Sequence, residues 1–266
     1  MIRACIFDLG GTIVDKFSYT PFLSLKKTFE QKKISIHNNL IYKDMGMDKK
    51  NHIRSIINNP YVAKLWFNEY GKYPDSNDIN ELYLRFNTIQ KYNCQSIEIL
   101  PETKECFQFL KNNNIKIGCT TGFNQENMYQ IKNILESNHL GLDSYVSSTC
   151  IPNKHTFFTR PGPAMIYKNF ENLNITSPRG VIKIDDTNIG IEEGRNADCI
   201  TIGVARWSTY MKVLPSEIHS LNESIIQEKL HESRKILKES NPNYIIDSLN
   251  DLPNIIKKIN SYNTTY

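Results

Sequence analysis

Residues 6–15 read IFDLGGTIVD, an apolar run that stops on a carboxylate, Asp8, and then breaks into Gly10-Gly11-Thr12. Glycine weakens a strand interior and frees the backbone to turn. ACIFDL (4–9) is therefore predicted to be a buried strand whose carboxyl end presents Asp8. A carboxylate beside a glycine turn, where backbone N–H groups can approach an anion closely, suits a nucleophile or phosphate site. Position 10, two residues after Asp8, is glycine and carries no second acid.

Four more apolar runs read as buried strands: IKIGCT (115–120), SYVSST (144–149), VIKID (181–185) and ITIGVA (200–205). Between and after them, TKECFQFLKNNN (103–114), QENMYQIKNILESN (125–138), PAMIYKNFENLN (163–174) and IGIEEGRNA (189–197) carry helical apolar spacing. Strands alternating with helices predict an α/β fold with a parallel sheet. Residues 19–95 break the alternation. PFLSLKKTFEQ, KKNHIRSIINNP, AKLWFNEYG and INELYLRFNTIQKYN read as successive amphipathic helices with no strand among them. The expected organisation is a core of 1–17 and 97–266 with an all-helical cap domain, 18–96, inserted after the first strand. From about residue 218 the chain reads as helical, with one extended piece, YIIDSL (244–249).

Composition narrows the function. At 39% hydrophobic and 23% charged residues over 266 positions, the chain can bury a real core. The net charge of +4 is spread over lysine pairs such as Lys26-Lys27 and Lys257-Lys258, with no basic stripe interleaved with aromatics, so no nucleic-acid partner is expected. No apolar run approaches the length of a membrane span, and MIRACIFDLGG lacks a signal-peptide core. The six cysteines form no CxxC pair and no metal-ligand spacing with histidine. Cys5, Cys119 and Cys199 fall in predicted strands, where a reduced thiol acts as a small apolar residue, so a cytoplasmic location is expected.

In a parallel sheet, ligands gather beyond the carboxyl ends of the strands. Those ends carry Asp8, Thr121-Gly122, Asp185-Asp186 and the region after Ser148. Thr121 and Gly122 can offer a hydroxyl and amides to phosphate oxygens. Asp185 and Asp186, with Asp8, can hold Mg²⁺. Arg160 supplies a fork of donors for a phosphoryl or phosphonyl group.

This ordered set resembles the haloacid dehalogenase superfamily. Its first motif, a strand ending DxxxT, matches Asp8 to Thr12. Its second matches Thr121, its third Arg160, and its acidic fourth Asp185-Asp186. The resemblance implies a Rossmann-like core, an aspartyl-phosphate intermediate on Asp8 and Mg²⁺ held by Asp8, Asp185, Asp186 and the Gly10 carbonyl. It implies phosphate contacts from Gly11, Thr121, Gly122 and Arg160.

The segment MGMDKKNHIRSI (45–56) is similar to the cap of the phosphonoacetaldehyde hydrolase branch, and the similarity continues through IKIGCTTGF, FTRPGPAMIYKN and IKIDDTNIGIEEGRNA. It places Met45, Lys49 and His52 on that branch's cap methionine, imine-forming lysine and active-site histidine. The activity implied is Mg²⁺-dependent cleavage of the C–P bond of phosphonoacetaldehyde to acetaldehyde and phosphate. Lys49 is expected to have its pKa lowered by desolvation and by a cationic setting beside Lys50. Two alternatives stand beside this: a phosphatase of the same superfamily with a drifted substrate, and a non-catalytic ligand-binding relative.

The chain departs from the branch pattern at Gly10, where alanine is usual, at Ser18 for cysteine, and at Phe123 for tyrosine. It departs again in the fourth motif, where Asp185 replaces a glycine and Gly190 replaces a second acid. The branch pairs through its cap, and Trp66, Phe67 and Tyr70 are expected as exposed aromatics for a homodimer.

Overall fold

The computed structural model describes residues 1–151 and 159–262. Phe158, at the head of the FTRPGPAMIYKN similarity, and the last four positions of the expected core lie outside them.

Six parallel strands form one sheet: β1 (Ala4–Phe7), β2 (Lys116–Thr121), β3 (Ser144–Ser147), β4 (Val181–Asp185), β5 (Ile200–Val204) and β6 (Tyr244–Ile246), in the order β3-β2-β1-β4-β5-β6. This is the doubly wound order, with β1 and β4 flanking the point where the winding reverses. All five expected strands are present, and YIIDSL contributes only its first three residues as β6.

Strand periodicity sorts the side chains. Cys5 and Phe7 of β1 join Ile182 and Ile184 of β4 in the larger apolar core, whereas Ala4 and Ile6 join Val181, Ile166 and Phe170 on the opposite face. The core helices are α6 (Thr103–Asn112), α7 (Gln125–Ser137), α8 (Ala164–Asn172), α9 (Asn188–Asn196), α10 (Glu223–Leu237) and α11 (Leu252–Tyr262). Parallel strands buried on both faces read as unbroken apolar runs, and that makes them legible in sequence.

The stretch after β1 is helical throughout: α1 (Tyr19–Glu30), α2 (Asn38–Lys43), α3 (Lys49–Ile57), α4 (Pro60–Tyr70) and α5 (Ser76–Asn93). It packs a separate apolar core from Phe22, Leu25, Phe29, Ile53, Ile57, Trp66, Leu82 and Phe86. Caps set its boundaries. Asp48 accepts from the Asn51 N–H ahead of α3, Asn59 and Pro60 open α4, and Asp75 with Asp78 forms a reciprocal capping box on α5. Trp66, expected outside, is buried: its ring packs 4.6 Å from Tyr70, with the Lys32 ammonium over it. Phe67 and Tyr70 remain exposed.

The chain enters this helical layer through a constrained turn. Asp15, Phe17 and Ser18 all adopt left-handed backbone conformations, each costing on the order of 1–3 kcal/mol for a non-glycine residue. Asp15 anchors the turn by accepting from the Thr20 N–H at 3.1 Å and the Thr20 hydroxyl at 2.9 Å. No helix among the described residues is long and apolar enough to cross a membrane.

Candidate active site

Register places the charges. Phe7 pairs with Cys119 on one side and Ile184 on the other, so the next residue of each strand, Asp8, Thr120 and Asp185, reaches the same sheet edge. The Asp8 N–H still donates to the Ile184 carbonyl at 2.9 Å. Asp8, Asp185 and Asp186 are buried, with carboxylate oxygens within 4.8 Å of one another. Burial, reinforced by Asp185, raises the Asp8 pKa to about 6 against the opposing pull of Arg160 and Lys183. Burial and the same repulsion push Asp186 well above the ordinary carboxylate range.

The three acids are not equivalent. Both oxygens of Asp185 are committed, one to the Thr187 N–H and hydroxyl at 2.9 and 2.7 Å, the other to Lys183 Nζ at 2.8 Å. Those partners hold its pKa below the usual value despite burial. Asp186 accepts only long bonds, from Thr12 Oγ1 at 3.2 Å and the Thr209 N–H at 3.3 Å. A close group of buried carboxylates whose negative charges repel one another is a fitting donor set for a divalent cation, and Asp8 and Asp186 are its two members with raised pKa values.

Glycines shape the floor. Gly11 has φ +74°, and a Cβ there would overlap the Asp186 carboxylate. Its N–H is spent on the Val14 and Asp15 carbonyls at 2.8 and 3.0 Å, so Gly11 admits Asp186 rather than offering its amide to a phosphate, a correction to the expected role. Gly10 answers the question its position raised. The space beyond its Cα is filled by Ser18 Oγ, 3.2 Å from where a Cβ would be, with Asp15 Oδ2 behind it at 3.8 Å. Burial raises the Asp15 pKa to about 7 against the hydrogen bonds from Thr20, so a proton-holding group stands near position 10, delivered from five residues downstream.

The helical layer supplies the opposite wall. Gly46 packs onto Thr187, where a Cβ would come within 2.6 Å of Oγ1, and a Cβ on Gly122 would meet the Met47 carbonyl at 2.8 Å. These close approaches leave a small, partly open cavity lined by Asp8, Ser18, Met45, Lys49, Thr121 and Arg160 among others. Thr121 Oγ1 accepts from the Phe123 N–H at 3.2 Å, while Asn124, not Thr121, caps α7. Phe123 and Gly122 also line the cavity.

Lys49, 6% exposed, has Met45 Sδ at 3.9 Å and no ion pair among the described residues. Burial leads the fall of its pKa to about 8, against the negative charges of Asp8, Asp48 and Asp186. The neighbouring cation that assists is Arg160 rather than Lys50. His52, expected beside Lys49, is fully buried one turn away and does not line the cavity. Neither ring nitrogen closes a hydrogen bond, although the Leu40 and Ile41 carbonyls lie nearby, and burial with the Lys49 charge holds it well below its ordinary pKa.

Sequence reasoning missed the groups beneath Arg160. Lys183 is fully buried inside β4 and bridges Asp185 at 2.8 Å and Glu193 at 3.6 Å. Positions 183 and 185 share a strand face, which makes this pair possible. Thr120 and Glu193 complete the group, and an acid-bearing helix beside a lysine that interrupts an apolar strand was the available signal. Ser148 holds the second-motif loop, donating to the Phe123 carbonyl at 3.0 Å.

Fold and site together describe a doubly wound α/β protein with a three-carboxylate centre facing a buried amine. The family model for haloacid dehalogenase-like hydrolases matches residues 5–204. The chain is 31% identical over 261 residues to a phosphonoacetaldehyde hydrolase of Paraburkholderia phytofirmans, covering 97% of this chain and 95% of that protein. It is 28% identical to a bifunctional phosphonoacetaldehyde hydrolase/aminoethylphosphonate transaminase of Clostridioides difficile, of whose length it spans only 40%. The crystal structure of a phosphonoacetaldehyde hydrolase-like protein from Oleispira antarctica superposes with a TM-score of 0.92 at 28% identity, covering 98% of this chain and 93% of that one. The chain belongs to the haloacid dehalogenase-like hydrolases and, within them, to the phosphonoacetaldehyde hydrolase branch.

Proposed function

We propose that this protein cleaves the C–P bond of phosphonoacetaldehyde, giving acetaldehyde and phosphate, with residues 18–96 acting as the cap that closes the site. One observation carries the reading: the buried side chains of Lys49 and Asp8 line a single cavity, and the amine, left without an ion pair among the described residues, has its pKa lowered to about 8. A fall from 10.5 to about 8 enlarges the share of free amine at neutral pH by roughly two orders of magnitude.

A C–P bond resists cleavage because carbon leaves as a poor anion. The Lys49 amine adds to the aldehyde carbon and water departs, leaving an iminium next to the C–P bond. An Asp8 carboxylate oxygen then attacks phosphorus. The C–P electron pair moves into a C=C bond as the iminium nitrogen becomes neutral, giving an enamine and an aspartyl phosphate. Water hydrolyses the acyl phosphate, and the enamine, protonated on carbon, is hydrolysed to acetaldehyde and free Lys49. Arg160, which donates Nη1–H to Asp8 Oδ1 at 2.7 Å, and the Thr121 hydroxyl would hold phosphoryl oxygens in this reading. Mg²⁺, held by Asp8 and Asp186 with the Gly10 carbonyl, would offset charge on the phosphoryl group. Asp185 contributes charge to the site through Lys183.

The phosphatase alternative calls for the general acid that phosphatases of this superfamily usually carry two residues after the nucleophile, and Gly10 offers none. The deciding experiment couples acetaldehyde release to alcohol dehydrogenase and traps the protein adduct with borohydride. Release together with an adduct on Lys49 is expected. Acetaldehyde release that survives Lys49→Arg would overturn the imine route, and turnover of generic phosphate esters that depends on Asp8 but not on Lys49 would favour the phosphatase.

A further inference from the structure

Arg160 is an unusual phosphate ligand because the fold consumes most of its donors. A guanidinium has five N–H groups in a rigid fork. Nε donates to Glu193 Oε2 at 2.9 Å, and Nη2 donates to the Thr120 carbonyl at 2.9 Å and the Thr120 hydroxyl at 2.6 Å. The Thr120 hydroxyl in turn donates to the same Glu193 Oε2 at 2.8 Å, closing a ring of Glu193, Arg160 and Thr120. Only Nη1 faces outward, with one contact to Asp8 at 2.7 Å and a long one to the Gly46 carbonyl at 3.5 Å.

We propose that Glu193 is the positioning residue of the site: with Thr120 it locks the Arg160 guanidinium so that the Nη1 edge alone bridges the Asp8 carboxylate and a phosphoryl oxygen of the substrate. The inference rests on the proposed function for what that edge binds. Glu193 is fully buried on α9 and does not line the cavity. Its Oε2 accepts from Arg160 and Thr120 with the Lys183 ammonium at 3.6 Å, while Oε1 has no hydrogen-bond partner among the described residues. The carboxylate is thus turned toward the arginine rather than shared evenly between the two cations beside it. Gly194 lets α9 come this close, since a Cβ there would press on the Lys183 side chain at 2.7 Å. Held this way, Arg160 needs no reorganisation when a phosphoryl group arrives, the condition under which fixed donors act best. A lysine at position 160 would have one nitrogen for the work of three.

The test measures inorganic phosphate affinity by calorimetry with Mg²⁺ present, KM and kcat for phosphonoacetaldehyde, and the Arg160 Nε–H resonance by NMR. Wild type is compared with Glu193→Ala, Glu193→Gln, Arg160→Lys and the Glu193→Ala/Arg160→Lys double variant. In wild type the Nε–H signal, assigned by its loss in Arg160→Lys, is expected to be protected from solvent exchange.

Glu193→Ala should expose that signal to exchange, weaken phosphate binding and raise KM by roughly 10- to 100-fold. Glu193→Gln, whose carbonyl can still accept from Nε, should recover part of the loss. In the Arg160→Lys background Glu193→Ala should add less than about twofold, the non-additivity of two groups acting as one. A protected Nε–H signal in Glu193→Ala, or an equal fold-loss from Glu193→Ala in both backgrounds, would overturn the inference. So would a lower melting temperature with phosphate affinity unchanged. Failure of wild type to release acetaldehyde overturns the functional reading instead, and the exchange of the Arg160 signal then decides the role of Glu193 alone.

Discussion

Lys183 and Lys49 are both buried amines facing the same cluster of acids, and they are built for opposite purposes. Lys183 is fully buried in the sheet and compensated by Asp185 at 2.8 Å and Glu193 at 3.6 Å. Lys49 sits at the start of α3 with a thioether sulfur at 3.9 Å, and burial drives its pKa down to about 8. A buried ammonium with carboxylates beside it is part of the scaffold, whereas one without an ion pair has its pKa lowered and supplies far more of the free amine that a nucleophile requires. The floor of the site stores charge in pairs, and the wall opposite leaves one group uncompensated.

The largest effects expected separate these two roles. Lys49→Met should abolish imine trapping and lower turnover on the order of 10⁴-fold or more, as removal of a nucleophile does, while leaving stability in chemical denaturation unchanged or higher. Lys183→Met should do the reverse to the fold, costing about 3–5 kcal/mol because the buried Asp185 loses its 2.8 Å partner and keeps only the Arg160 guanidinium at 3.5 Å, while Glu193 remains paired with Arg160. Equal destabilisation by both substitutions would erase the distinction.

Gly190 and Gly71 sharpen it at the level of space. A Cβ at Gly190, in the first turn of α9, would overlap the Asp185 carboxylate, whereas one at Gly71 meets nothing within 4 Å. Gly190→Ala should therefore cost about 1–3 kcal/mol by forcing Asp185 off Lys183 and Thr187. Gly71→Ala, with φ +69° at the end of α4, should cost about 1 kcal/mol from backbone strain alone. A smaller loss at Gly190 than at Gly71 would mean that Asp185 is free to move and that its pairing with Lys183 is weak.

The sequence made the sheet legible because buried parallel strands read as plain apolar runs, and Asp8, Thr121 and Asp186 were legible because each follows such a run directly. The helical layer was legible by period, apart from the short α2, whose six residues carry too little pattern. The floor beneath Arg160 was harder to see. Lys183 reads as a polar break in VIKID until the register shows it facing Asp185, and Glu193 reads as one more acid on an amphipathic helix. Local composition cannot reveal that Ser18 fills the space over Gly10, since the left-handed turn through Asp15, Phe17 and Ser18 brings it there. His52 shows the opposite limit: spacing puts it one turn from Lys49, but the packing of α3 turns it away from the cavity.

The smallest effect expected is also the one that tests the Lys49 environment most directly. Only the unprotonated amine adds to an aldehyde. In the absence of divalent cation, the initial rate of borohydride trapping with acetaldehyde should therefore rise about tenfold per pH unit below about pH 8 and level off above it. A midpoint near 10.5, the ordinary lysine value, would mean a solvated amine and would remove the contrast with Lys183. Asp8 supplies the largest influence opposing burial at Lys49, and with its own pKa near 6 it is a carboxylate throughout this range. Asp8→Asn deletes that negative charge, which favours the ammonium, so the trapping midpoint should move to lower pH. A midpoint that stays put in Asp8→Asn would show that the two groups do not sense one another across the cavity.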